Sequence, residues 1–209
     1  EIQKSWSNFS EENNFSINIC ASTSPCTVIL NKVLPKFALQ FPDINLTYTP
    51  VLSYEIPDYL LDTSKICHIA ITCVFPDHPD IRVFAQKHGM ICEYLYSSSH
   101  YAALNSKLVE KGQTSITAEQ LKNLPCILST SDYYDHLSIF SIFKENKKVY
   151  RCFGLDSQLQ MTLSYNAVSL ISEHYIHDAK KNFGDKIKIL PIHNFQSIID
   201  YYIVYPSNC

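Results

Sequence analysis

FSINICASTSPCTVILNKVLPKFALQFPDIN, residues 15–45, is the stretch that decides the architecture. A short apolar run ends in Ser22-Thr23-Ser24, Pro25 follows at once, and a long apolar-periodic segment closes at Phe41-Pro42-Asp43. That order spells a strand, a hydroxyl-rich turn, a helix and a stop. Ser24 suits the N-cap and Pro25 the first helical position. The turn therefore sets hydroxyls and free backbone N–H groups at the positive end of a helix dipole, which favours a small anion or a polar ligand.

Outward from this unit, strands and helices keep alternating. Strands are expected over 15–21, 45–50, 67–74, 89–97, 125–129, 149–155, 167–172, 186–192 and 197–205. Helices are expected over 25–41, with a kink at Pro35, and over 56–62, 100–107, 118–123, 134–145, 157–165 and 173–181. Thr117 reads as the cap of the 118–123 helix, and Asp156 or Ser157 as that of the 157–165 helix. Asp77-His78-Pro79-Asp80 reads as a turn between elements. Such βα alternation predicts mostly parallel sheets covered by helices, with ligands off the carboxyl ends of the strands. Three of those ends are rich in hydroxyls: Ser22-Thr23-Ser24, then Thr72 after His68-Ile69-Ala70-Ile71, then Ser129-Thr130-Ser131 after Pro125-Cys126-Ile127-Leu128.

Composition narrows the function. The 209 residues carry a net charge of −3 and only two arginines, Arg82 and Arg151. Without a basic stripe the chain is a poor match for direct nucleic-acid binding. Lys180-Lys181 with Lys186 and Lys188 read as a solvated helix end and strand edge. The eight cysteines form no C-x-x-C pair and sit mostly in apolar runs, a usage that fits reduced thiols in a cytoplasmic protein. No apolar run approaches the roughly 20 residues of a membrane helix, and no leader peptide is visible.

Five blocks in order resemble the effector-binding (regulatory) domain of LysR-type transcriptional regulators. They are Ser22-x-Ser24 with Phe41-Pro42-Asp43; His68-Ile69-Ala70-Ile71; the run from Tyr94 through Thr117-Ala118-Glu119-Gln120-Leu121 to Leu128; Asp156-Ser157 with Val168-Ser169-Leu170-Ile171; and Ile187-Lys188-Ile189-Leu190-Pro191-Ile192 before Tyr201 to Tyr205. The resemblance implies an α/β chain of two Rossmann-like subdomains with a central cleft, of periplasmic-binding-protein type II architecture. Residues 1–14 would be the end of a linker helix, 15–95 plus 195–209 subdomain I, and 96–194 subdomain II, with crossovers near 94–99 and 191–195. Carried onto this chain, the family's site gives Ser22, Thr23, Ser24 and Thr72 from one subdomain and Ser129, Thr130 and Ser131 from the other. It implies a small-molecule effector, no cofactor and a homodimer or tetramer. DNA contact would come only through an N-terminal winged helix-turn-helix lying outside these 209 residues, and no membrane is involved. A solute-binding protein of a transport system shares this architecture and is the alternative. The chain departs from the family pattern at Tyr165-Asn166-Ala167, where glycines are usual, and at His68, where an acidic residue is usual.

Catalytic signatures are lacking: there is no G-x-S-x-G, P-loop or H-E-x-x-H pattern, so no enzyme is expected. His174, His177 and Asp178 share a helix face and form the densest candidate metal cluster, with solvent exposure the plainer account. Cys26, one residue after Pro25, is the cysteine best placed for a dipole-lowered pKa.

Overall fold

The computed structural model describes residues 16–22, 32–74, 80–129, 142–143, 145–146, 148–195 and 198–207. Strand β1 (Ser16–Ala21) leads toward helix α1 (Leu34–Gln40), then β2 (Asn45–Pro50), α2 (Ile56–Leu61), β3 (Ile69–Val74) and α3 (Ile81–Lys87). The long β4 (Met90–Asn105) is followed by β5 (Ile116–Thr117), α4 (Ala118–Lys122) and β6 (Cys126–Ser129). Then come β7 (Val149–Cys152), α5 (Leu155–Ser164), β8 (Val168–Ser172), α6 (Ile176–Phe183), β9 (Ile187–Leu190), β10 (Ile192–His193) and β11 (Ile198–Pro206).

β1 runs parallel to both β2 and β3, in register from Ser16↔Asn45 and from Ile19↔Ile69. β11 closes this first lobe antiparallel between β3 and the first part of β4, giving the order β2-β1-β3-β11-β4. The second lobe repeats the scheme. There β6 is parallel to β7 and β8, while the last part of β4 lies antiparallel between β8 and β9. β5 and β10 form a small parallel pair beside it. The result is an α/β fold of two Rossmann-like lobes sharing one strand.

β4 carries the main departure from the sequence expectation. The sequence predicts a strand over 89–97 and a helix over 100–107; one 16-residue strand instead continues to Asn105. Its pairing changes between neighbouring residues, Ser99 opposing Ile198 of β11 and His100 opposing Ser172 of β8. Its burial changes with it. Ile91, Glu93, Leu95 and Ser97 face solvent, whereas Ala102, Ala103 and Leu104 are buried on both faces. Partners on both sides satisfy the backbone, and tertiary pairing overrides the turn preference of Ser98-Ser99.

Smaller departures have local causes. Pro35 lies where two π-helical residues, Lys32 and Val33, give way to the α-helical segment, an irregularity of the kind a proline within a helix produces. The described helical stretch runs from Lys32, π-helical over its first two residues, to Gln40; residues 25–31 of the expected 25–41 helix fall outside the described residues, as do most of 134–145. α3 was not anticipated. Asp80 caps it, accepting from the Arg82 N–H at 2.9 Å. α5 begins at Leu155 after Gly154, whose φ of 84° serves as the non-helical entry, so neither Asp156 nor Ser157 is the cap. Thr117 does cap α4, in a capping box with Gln120.

Four apolar clusters hold the lobes. In the first lobe, Cys20, Ile56, Ala70, Ala85, Tyr202 and Val204 lie on one sheet face, and Ile17, Ile19, Ala21 and Ile71 on the other. In the second lobe, Ala103, Leu159, Ile171 and Ala179 pack under α5 and α6. The largest cluster joins Ala102, Leu104, Leu121, Leu128, Val168 and Leu190 to Cys73, Ile199 and Tyr201. The last three belong to first-lobe strands, so this core ties the lobes together at the junction.

Candidate functional site

Ser22 stands just beyond the carboxyl end of β1, 4% exposed. Its N–H donates to the Ile71 carbonyl at 3.0 Å, and its Oγ lies 3.9 Å from the Cys73 Sγ. Thr72, in β3, is buried, and its Oγ1 has no hydrogen-bond partner. Side chains alternate along a strand. Ala70 and Val74 pack in one cluster and Cys73 in another. Thr72 therefore shares the face of Ala70 and Val74, and Ser22 sits beside the residue on the opposite face. Ser129 ends β6 in the second lobe and is also buried. Thr23, Ser24, Thr130, Ser131 and Cys26 lie outside the described residues.

At the β4 crossing is a polar and aromatic cluster. Tyr96 stacks on Tyr201 with ring centroids 4.6 Å apart, and His174 meets both rings edge-on at 5.7 and 5.9 Å. The Tyr96 hydroxyl is buried without a partner. Burial first, and the nearby Cys73 second, push its pKa up to about 12, so it stays a neutral donor. Ser98 Oγ lies 3.2 Å from His174 Nδ1, and Ser172 Oγ lies 3.2 Å from His100 Nε2, one histidine pair on each side of the junction.

His174 is thus engaged with Ser98 rather than standing free on a helix face with His177 and Asp178. Asp178 is 3.8 Å from Lys32 Nζ. Among the described residues no group of three His, Cys, Asp or Glu side chains is arranged to hold a metal ion, and no helix among them is long and apolar enough to cross a membrane.

The two departures from the family pattern acquire local roles. Asn166 adopts the left-handed φ of 48° that glycine would take, and its Oδ1 accepts from Asn105 Nδ2 at 2.9 Å. His68 Nδ1 accepts from the Asn18 N–H at 3.0 Å, fastening the entry of β3 to β1.

The crossing cluster was not singled out from the sequence, since Tyr96, Ser98 and His174 are brought together only by β4 meeting β8. One signal did exist: the run Tyr94 to Tyr101 mixes aromatic, serine and histidine residues at alternating spacing.

Solved structures of the same fold include regulatory domains of other proteins. A full-length OxyR variant from Pseudomonas aeruginosa superposes with a TM-score of 0.72 at 12% identity, covering 100% of this chain and 69% of that one. The reduced OxyR regulatory domain of the same organism gives 0.72 at 12% identity, covering 93% of this chain and 90% of that one. An OxyR2 regulatory-domain mutant from Vibrio vulnificus gives 0.68 at 13% identity, covering 96% and 92%. At such identities the likeness speaks for the fold. No curated protein sequence matches the chain. The family model of the LysR substrate binding domain matches residues 10–209, nearly the whole chain. The chain belongs to that family and is an effector-binding domain of the LysR type.

Proposed function

We propose that this domain senses a small polar or anionic metabolite held between its two lobes and passes their closure to an N-terminal DNA-binding domain. Residues 15–95 with 195–209 form one lobe and 96–194 the other. Ser22, Thr23 and Ser24 reach the effector from the first, and Ser129, Thr130 and Ser131 from the second; Thr72, on the face of β3 opposite to Cys73 and Ser22, stands behind them rather than beside them. The role is binding rather than catalysis, and the setting is the cytoplasm.

One observation carries this reading. Ser22 and Ser129 are buried hydroxyls at the carboxyl ends of parallel strands in two different lobes. Open α/β sheets bind ligands off such ends. At the crossing of the lobes the Tyr96 hydroxyl is a further buried donor with no partner among the described residues. An effector that binds one lobe arrangement better than the other shifts the population toward it, which is all that transmission requires.

A homodimer is part of the proposal. None of the described α1 residues is buried, Leu39 is 86% exposed, and β2 beside it is a sheet edge. In the second lobe the edge strand β7 and its surroundings expose Val149, Phe153 and Tyr165. Two unlike apolar edges of this kind fit side-by-side pairing in which each covers the other.

Calorimetric screening of small carboxylates and other polar metabolites, followed by Ser22→Ala and Ser129→Ala, tests the site. Loss of one hydrogen bond to a charged ligand group is worth about 1.5 kcal/mol, so each variant should bind roughly tenfold more weakly. Unchanged affinity in both variants rejects the site.

A further inference from the structure

Cys20 and Cys67 are 47 positions apart in the chain, yet the Cys67 S–H donates to the Cys20 Sγ at 3.1 Å. The contact exists because β1 and β3 are neighbours. Beside it, Asn18 and His68 are joined by two hydrogen bonds: the His68 N–H donates to the Asn18 carbonyl at 2.9 Å, and the Asn18 N–H donates back to His68 Nδ1 at 3.0 Å. The two thiols differ in setting. Cys20 is 1% exposed among Ile56, Ala70 and Ala85. Cys67 is half-buried and follows Ser64, Lys65 and Ile66, which are exposed, Ile66 to 68%.

We propose that Cys20 and Cys67 form a dithiol site that closes reversibly to a disulfide by exchange with a small soluble disulfide. Cys67, the thiol near the surface, attacks as thiolate one sulfur of the incoming disulfide. A mixed disulfide forms, and one thiolate leaves. The Cys20 thiol then gives up its proton and attacks the Cys67 sulfur, releasing the second thiolate. The protein dithiol is oxidised by two electrons, and the small disulfide is reduced to two thiols. The sulfurs need to approach by only about 1 Å to reach the usual S–S bond length. Exposure sets the order of attack: Cys67 is half-buried beside the exposed Ser64, Lys65 and Ile66, whereas Cys20 is enclosed in the core. The nucleophile is thus the reachable sulfur and the resolving group the sheltered one.

The consequence is local to the first lobe. Cys20 lies two residues before Ser22, and Cys67 five before Thr72. A covalent tie there would lock the two strands that carry these hydroxyls.

Oxidised glutathione is the probe. Reduced protein is incubated with it, alkylated and digested with trypsin, and the peptides are sequenced by fragmentation. Fragmentation is needed because the 5–32 peptide carries Cys20 and Cys26, and the 66–82 peptide Cys67 and Cys73. The expected product is the two peptides joined through Cys20 and Cys67, two mass units below the sum of the peptides alkylated only at Cys26 and Cys73. It should be absent in Cys67→Ser and reversed by dithiothreitol. A glutathione adduct that persists on Cys67 in the unsubstituted protein would overturn the proposal, as would joining through Cys26 or Cys73, or an unreacted Cys67. These outcomes are independent of effector binding, so failure here leaves the sensor reading standing, and the reverse.

Discussion

The side chain of Gln158 offers a test of how the second lobe presents Ser129. Gln158 lies in α5, 3% exposed, and its Nε2 donates to the Ile127 carbonyl at 3.0 Å. β6 pairs with β8 at a single position, Cys126↔Val168, so the ladder on that side ends before Ile127. Gln158 supplies the donor there, two residues before Ser129. Gln158→Met keeps the length and most of the volume but removes the donor. The cost is that of leaving a buried carbonyl without its partner, about 1.5 kcal/mol. For a chain of this size that lowers the melting temperature by about 3–6 °C. With a urea slope near 2 kcal/mol/M it moves the midpoint down by about 0.7 M. Gln160→Met, two residues on and exposed, is the matched control and should shift stability by no more than about 0.5 kcal/mol. Urea titrations followed by far-UV circular dichroism on both variants decide the matter. Equal midpoints would refute the assignment of Gln158 as the strand's hydrogen-bond donor.

Two further outcomes follow from local geometry. Asp80 is held below the ordinary carboxylate range by its hydrogen bonds with Arg82, so its folded pKa is lower than its unfolded one. The stability it contributes is therefore complete above about pH 4 and lost as pH falls through the folded value. The melting-temperature gap between the native chain and Asp80→Asn should shrink from pH 6 to pH 3, and a constant gap would contradict the cap. At Asn166, whose φ is 48°, Asn166→Ala should be less stable than Asn166→Gly by about 1 kcal/mol in chemical denaturation, because only the former keeps a Cβ in the left-handed region; equal stabilities would count against the strained geometry.

The parts legible in the sequence were those set by local chemistry. β2 is bounded by Asn45 and Pro50 where its composition says it should be, and the Thr117-x-x-Gln120 box announces α4. The paired lobes were visible in the order of the five blocks. What stayed hidden depends on contacts distant in sequence. The serines of β4 carry turn propensity, and only their pairing with β11 and β8 makes them strand. α3 did have a signal, the Asp80 cap before a short apolar stretch, but seven residues give little periodicity. The Cys20–Cys67 contact and the Ser98–His174 pair span 47 and 76 positions and have no local mark at all.

The placement of β11 bears on how the molecule is born. It is the last strand among the described residues, yet it occupies an interior slot between β3 and β4. During synthesis the amino-terminal lobe must wait, with β3 and β4 unbridged, while the whole of the other lobe emerges and can fold first. A nascent chain stalled before Ile198 would present two raw strand margins to the chaperone machinery. Any lesion that removes β11 would act on the centre of a sheet whose other strands were synthesised about a hundred residues earlier.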